Sequence, residues 1–267
     1  MIYDLQKANM LKRFMAFLLD FIILIILITG FMWVLSSATN YSTYSESLST
    51  QIQDIEKSYG IPSITEEYEV TTDSYSVMTK DERDKLPEEV RNTLESCIKE
   101  INSNQEISKT YMKVISLMLM MVSVSILLSV VILEFIVPLC LKNGQTIGKK
   151  IFSLAVMRID GVRATPLIMF ARSILGKYTV EIMIPTMLIL MLFFGMGSIV
   201  TIAVVILIAL FELILVIATK TNSLIHDILA ATVVVDYQSQ MIFDSVEAKE
   251  EYQLRIHSED AKNSKYF

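Results

Sequence analysis

The chain has 267 residues, of which 53% are hydrophobic, with a formal net charge of −6 and two cysteines. A mean hydropathy of +0.51 is too high for a soluble domain of this length and points to several membrane spans. The acidic balance, with no basic stripe, excludes a nucleic-acid partner. Two cysteines suggest neither a disulfide framework nor a metal site, and no cofactor is implied.

Residues 1–35 comprise a short start with Lys7, Lys12 and Arg13, followed by a first span centred on residues 11–34. Its apolar run of about 20 residues is enough to cross a bilayer core of ~30 Å. It is longer than the core of a cleavable leader, which makes it a retained signal anchor. Asp20 interrupts the run, on the same helix face as Arg13 and ~10 Å deeper. Arg13 can snorkel to the headgroups, whereas Asp20 is too short to do so. A carboxylate at that depth is turned inward to a partner, protonated, or part of a polar path.

Residues 36–110 are polar and acidic, and rich in Ser, Thr and Glu. Leu48, Ile52, Ile55 and Tyr59 fall at helical spacing, as do Val90, Leu94, Ile98 and Ile101. Pro87, followed by Glu88 and Glu89, marks the start of the second helix. The expectation is a small helical cap: two amphipathic helices around an irregular or extended middle at residues 61–78.

Residues 111–141 hold a long second span with Glu134 and Pro138 near its end. Met118, Met120 and Met121 at its start are packing residues. Residues 142–181 form a basic loop, and over residues 142–177 Lys142, Lys149, Lys150, Arg158, Arg163, Arg172 and Lys177 face only Asp160. Asp160-Gly161 between apolar runs is a hairpin signal. Thr165-Pro166 is an N-cap and first helical position, opening a helix of interfacial character.

Residues 182–219 read as a tight transmembrane hairpin, split at Gly195-Met196-Gly197-Ser198. Residues 220–267 give a short interfacial helix with His226 and Asp227, an apolar extended stretch, and a charged, partly disordered tail. The fold class is therefore an all-α membrane protein with four transmembrane helices, interfacial helices and a mainly helical insert between the first two spans. Lys and Arg crowd the start, the 142–177 loop and the end of the fourth span, and four spans place all three on one face. By the positive-inside rule that face is the cytoplasm, with both termini cytoplasmic and the insert outside. Cys97 and Cys140 then lie on opposite sides and cannot pair.

Arg13 and Asp20, as R-x-x-A-x-x-x-D, are followed by NGQTIGKK at residues 143–150, IFSLAVMRIDG, Ala171-Arg172 and finally His226-Asp227 in HDILAATVVV. These ordered motifs resemble those of the RDD family of bacterial membrane proteins, named for an arginine and two aspartates. The resemblance covers about residues 8–235 apart from the insert, which is larger than the family's usual loop. It implies a bacterial cell membrane location and either of two roles, since some members are thought to exchange sodium or similar cations for protons and others look like accessory parts of membrane complexes.

Asp20 is either a structural carboxylate, neutral or hydrogen-bonded to Ser or Thr on a neighbouring span, or a proton or cation site. Glu212 and Glu134 are its candidate companions. Arg13 and Asp227 fall near one membrane boundary and should pair, or Asp227 should pair with Arg172, tying the last interfacial helix to the bundle. The loop motif of Gly144, Thr146, Gly148 and Lys149 is one residue short of a phosphate loop and has no Ser or Thr after Lys149. It reads as a tight turn whose lysines set topology or touch anionic lipid. His226, one of only two histidines, takes a structural or capping role.

With no Ser–His–Asp or Cys–His arrangement, an enzyme is not expected. Two functions stay open. One is an accessory or scaffold component using the insert to hold a membrane or extracytoplasmic partner. The other is a cation/proton exchanger using Asp20, which in a four-span chain calls for a homo-oligomer and a monovalent cation.

Overall fold

A computed structural model describes residues 4–195 and 197–263. Met196, in the turn between the last two apolar runs, and residues 264–267 of the tail lie outside the described residues. The chain divides into two compact units, residues 1–31 with 123–267, and residues 32–122.

Helix α1 (Met10–Ala38) is the first long apolar helix. In the insert follow α2 (Tyr41–Ser58), α3 (Ile61–Tyr68), α4 (Thr72–Val77), α5 (Lys80–Arg83) and α6 (Glu88–Ser103). The middle is therefore helical, not extended or irregular. The reason is local: Pro62 lies in the first turn of α3, and Thr71 and Thr79 close capping boxes with Ser74 and Glu82. Short helices set by caps carry little periodicity to read. The insert has its own core of Ile61, Val70, Tyr75, Leu94 and Cys97. Around it Tyr75 donates to Glu95 at 2.9 Å, Thr72 donates to Glu56, and the Arg83 guanidinium covers the Tyr75 ring at 4.8 Å.

Helix α7 (Gln105–Leu141) is the second long apolar helix. It is α-helical to Val130, π-helical over Val131–Ile136 and α-helical again to its end. A one-turn helix α8 (Ile147–Ile151) and strand β1 (Leu154–Arg158) follow. Helix α9 (Pro166–Phe193) is the third, with π-helical geometry over Ala171–Met183. The helix opened by Thr165 and Pro166 is thus not a separate interfacial element but the first part of the third long helix. Helix α10 (Ile199–Ala218) completes a set of four that are long and apolar enough to cross a membrane.

After α10 come α11 (Ile225–Leu229), β2 (Thr232–Asp236) and α12 (Val246–Asn263). The tail expected to be partly disordered is therefore helical over α12. Strands β1 and β2 pair antiparallel, from Leu154 opposite Asp236 to Arg158 opposite Thr232. Leu154 and Val156 face one apolar cluster with Ala8, Ala16, Met169 and Val234, while Ala155 and Met157 face another with Val233 and Val235. Burial on both faces explains an apolar run without alternation. Asp160-Gly161 does form a turn, with a single bridge from Met157 to Arg163, but the main partner of β1 is distant in sequence.

Candidate functional site

The site is built where α8, α9 and α11 meet the start of α1. Arg13, Ala16 and Asp20 are spaced i, i+3 and i+7 on α1, so they share one face. Ala16 and Asp20 are its buried residues. Against them stands the N-terminus of α8. Thr146 caps that helix by accepting from the Lys149 amide at 3.3 Å. Its hydroxyl also donates to Asp20 Oδ2 at 2.5 Å, and the Gly148 amide donates to Asp20 Oδ1 at 2.8 Å. The carboxylate thus takes the anion position at a helix start, where free amides and the helix dipole favour it.

Gly148 is required by the packing. A Cβ there would sit 2.3 Å from the Ala16 carbonyl oxygen and 2.9 Å from Asp20 Cγ. Gly144 has φ +61°, and a Cβ on it would meet Val156 Cβ at 2.8 Å. The partner of Asp20 is therefore the loop motif itself, rather than a Ser or Thr on a neighbouring span.

Lys149 links this contact to Glu134 on α7. Its ammonium lies 4.0 Å from Asp20 Oδ2, 3.7 Å from Glu134 Oε2 and 3.2 Å from the Thr146 hydroxyl. Burial lowers the Lys149 pKa below its ordinary value, although Glu134 and Asp20 oppose this. Lys177 on α9 pairs with Glu134 Oε1. The Glu134 carbonyl would ordinarily accept from residue 138, which is Pro138 and has no N–H. The Ser173 hydroxyl fills that place at 2.6 Å.

Asp227 is the second centre. Arg172 on α9 donates to its Oδ1 through Nε at 3.0 Å, with Nη2 of the same guanidinium also 3.0 Å from that oxygen, and Thr232 donates to the same oxygen at 3.1 Å. Arg13 stands 3.6 Å from Oδ2 and donates to the Thr221 carbonyl at 3.1 Å. Both pairings considered from the sequence thus coexist. Burial alone would raise the Asp227 pKa, but the surrounding cations, Arg172 foremost, outweigh it and hold the carboxyl below the usual range.

His226 lies beside Asp227 and turns toward Glu181 on α9. Its ring Nδ1 is 2.7 Å from Glu181 Oε2, and its backbone amide donates to Oε1 at 2.9 Å. Its Nε2 is 2.9 Å from Arg172 Nη2. Helix α11 comes this close because residue 176 is glycine, where a Cβ would meet His226 Cα at 2.7 Å.

Of the residues singled out from the sequence, Asp20, Glu134, Arg13, Arg172, Asp227, Thr146, Gly148 and Lys149 converge, with Gly144 shaping the loop. Glu212 is half-buried on α10 and makes no hydrogen bond or ion pair among the described residues. Sequence reasoning missed Glu181 and the role of Lys177. A signal was present: Glu134-x-x-x-Pro138 recurs as Glu181-x-x-x-Pro185, and each glutamate lies in a π-helical stretch. A proline four residues on removes the amide that the glutamate carbonyl would accept, a known cause of local π geometry. Among the described residues no His, Cys, Asp and Glu group is arranged to hold a metal ion.

No curated protein and no solved structure matches the chain. A family model, that of the RDD family, matches residues 7–231. That span includes Arg13, Asp20 and Asp227, the loop motif that grips Asp20 and all four long apolar helices. The chain belongs to the RDD family of membrane proteins.

Proposed function

We propose that this protein is an accessory or scaffold component of a membrane complex, multi-pass in a bacterial cell membrane with both termini cytoplasmic, and that it catalyses no reaction. The observation that carries this reading is the state of Asp20. Both of its oxygens already accept hydrogen bonds, and Lys149 stands beside them. A carboxylate so engaged holds the loop to α1 and has little capacity left for a passing ion. The crowding of Lys and Arg near the Asp20 end of the spans supports the orientation. The insert, folded around its own apolar core, then presents an extracytoplasmic surface to a protein partner.

The second reading is a cation/proton exchanger acting as a homo-oligomer. Two observations favour it: a buried aspartate beside a partly buried lysine, and the half-buried Glu212 on an otherwise apolar helix. Proteoliposomes carrying an imposed proton gradient separate the two. The scaffold reading expects sodium, lithium and potassium each to leave the gradient intact. Collapse by one of these ions in wild type, absent in folded Asp20→Asn, would establish exchange instead. Without exchange, site-specific crosslinking from residues 40–108 in intact membranes should yield one discrete adduct.

A further inference from the structure

The insert holds an open cavity of about 600 Å³ between α6 and the corner where α4 meets α5, a volume in the range that small-molecule sites occupy. Helix α6 contributes Glu95, Ile98, Lys99 and Asn102, spaced i, i+3, i+4 and i+7 and therefore on one face. The neighbouring stripe of α6 buries Leu94 and Cys97 in the insert core, which fixes how that face is turned. Tyr75 of α4 and Arg83 of α5 line the other wall.

The cavity is opposite in charge to the unit around it. Residues 36–110 carry fifteen Asp and Glu against seven Lys and Arg, whereas the cavity is lined by two cations, Arg83 and Lys99, and one carboxylate, Glu95. Glu95 is engaged, its Oε1 accepting from the Tyr75 hydroxyl at 2.9 Å. Neither Arg83 nor Lys99 forms an ion pair among the described residues.

Arg83 is also held in place. Its guanidinium lies over the Tyr75 ring at 4.8 Å, and its Nη2 donates to the Ser76 carbonyl at 3.0 Å. Its Nε is enclosed without an acceptor, which leaves Nη1 as the nitrogen open to a ligand. A cation already fixed binds an anion without the entropy loss of ordering its side chain.

We propose that this cavity binds a carboxylate that adjoins an amide and an aliphatic side chain. One carboxylate oxygen accepts from Arg83 Nη1 and the other from the Lys99 ammonium. With Nε enclosed, the guanidinium has no two-pronged grip to offer, so the second contact falls to Lys99. Charge selects the class: two cations beside one carboxylate leave a single positive charge, which a monoanion neutralises and a phosphate dianion exceeds. The Asn102 amide, unbonded among the described residues, is free to pair with the ligand's amide, and Ile98 gives the aliphatic side chain an apolar surface. This chemistry belongs both to a free N-acylated amino acid and to the C-terminus of a peptide chain. The proposal goes beyond the scaffold reading and stands apart from it, because the cavity lies wholly within the insert.

The test titrates the full chain in lipid nanodiscs with N-acetyl-leucine and with an N-acetylated hexapeptide ending in leucine. Each is run beside its C-terminal amide, and binding is followed by saturation-transfer NMR. Wild type should bind a free acid and not the matching amide. Lys99→Gln and Arg83→Gln should each weaken that binding about tenfold or more. Tighter binding of the hexapeptide assigns the ligand to a chain terminus, and equal or tighter binding of N-acetyl-leucine assigns it to a free acylated amino acid. Either supports the site. Binding of neither acid, equal binding of acids and amides, or displacement by inorganic phosphate at equal concentration overturns the proposal. So does unchanged binding in folded Lys99→Gln. Lys99 is exposed and bonds to nothing among the described residues, so this variant decides if Arg83→Gln does not fold. None of these failures alters the crosslink expected of the scaffold reading.

Discussion

The two units are held together by opposite means. The insert buries Tyr75, Leu94 and Cys97 in a small apolar core and keeps its ion pairs, such as Arg91 with Asp84, on its surface. Beyond the apolar clusters around β1 and β2, the unit containing Asp20 does the reverse along its long helices, exposing aliphatic side chains and burying Asp20, Glu134, Arg172 and Asp227. In water, apolar burial supplies the driving force and surface pairs add ~0–1 kcal/mol. Where the surroundings are hydrocarbon, apolar contact discriminates little between inside and outside, and paired polar groups specify the arrangement.

The largest expected effect is in the charged unit. Asp227→Ala leaves Arg172 and Arg13 without their carboxylate and should cost about 3–5 kcal/mol, read as a lower unfolding midpoint in detergent. Next, Leu94→Ala should cost about 2–5 kcal/mol within the insert while leaving the unfolding of the charged unit unchanged. A parallel loss in both units would show that they do not fold separately. Gly148→Ala should cost about 1–3 kcal/mol, because its Cβ would collide with the α1 backbone. In that variant Asp20→Asn should lose part of its own effect, since the two changes break one contact.

The pH response should differ in the same way. The Asp227 pKa is depressed in the folded state, so its contribution is complete above the ordinary aspartate value of about 3.9 and is lost as pH falls through the lower folded value. The melting temperature of wild type should fall below about pH 4, and that of Asp227→Asn should fall less steeply. The smallest effect is chemical. Burial, with Glu56 and Glu100 adding to it, pushes the Cys97 thiol up to about 11. In a Cys140→Ser background a maleimide should therefore leave Cys97 unmodified until the insert unfolds, and Leu94→Ala should speed the reaction.

The long helices were legible because hydropathy over about 20 residues is a summed signal that single residues do not disturb. Arg13, Asp20 and Asp227 were legible because an ionisable residue near an apolar run stands out. What joins them was not. Strand β1 pairs with β2 far along the chain, and no local pattern encodes that register. Glu181 was hidden because its partner His226 lies 45 residues further along, and nothing local marks the pair. The short insert helices and α12 escaped because caps and tertiary contacts, rather than amphipathic periodicity, define them.

Asp20 and the Thr146 hydroxyl that satisfies it are 126 residues apart in the chain. At a synthesis rate of roughly 5–20 residues per second, the aspartate emerges about 6–25 s before its partner exists. During that interval α1 carries an unsatisfied carboxylate. It has to stay protonated, or remain with the insertion machinery, until the loop arrives. The grip of Thr146 and Gly148 on Asp20 thus sets a deadline in biogenesis, and a chain truncated before residue 146 should be recognised as unfinished and degraded.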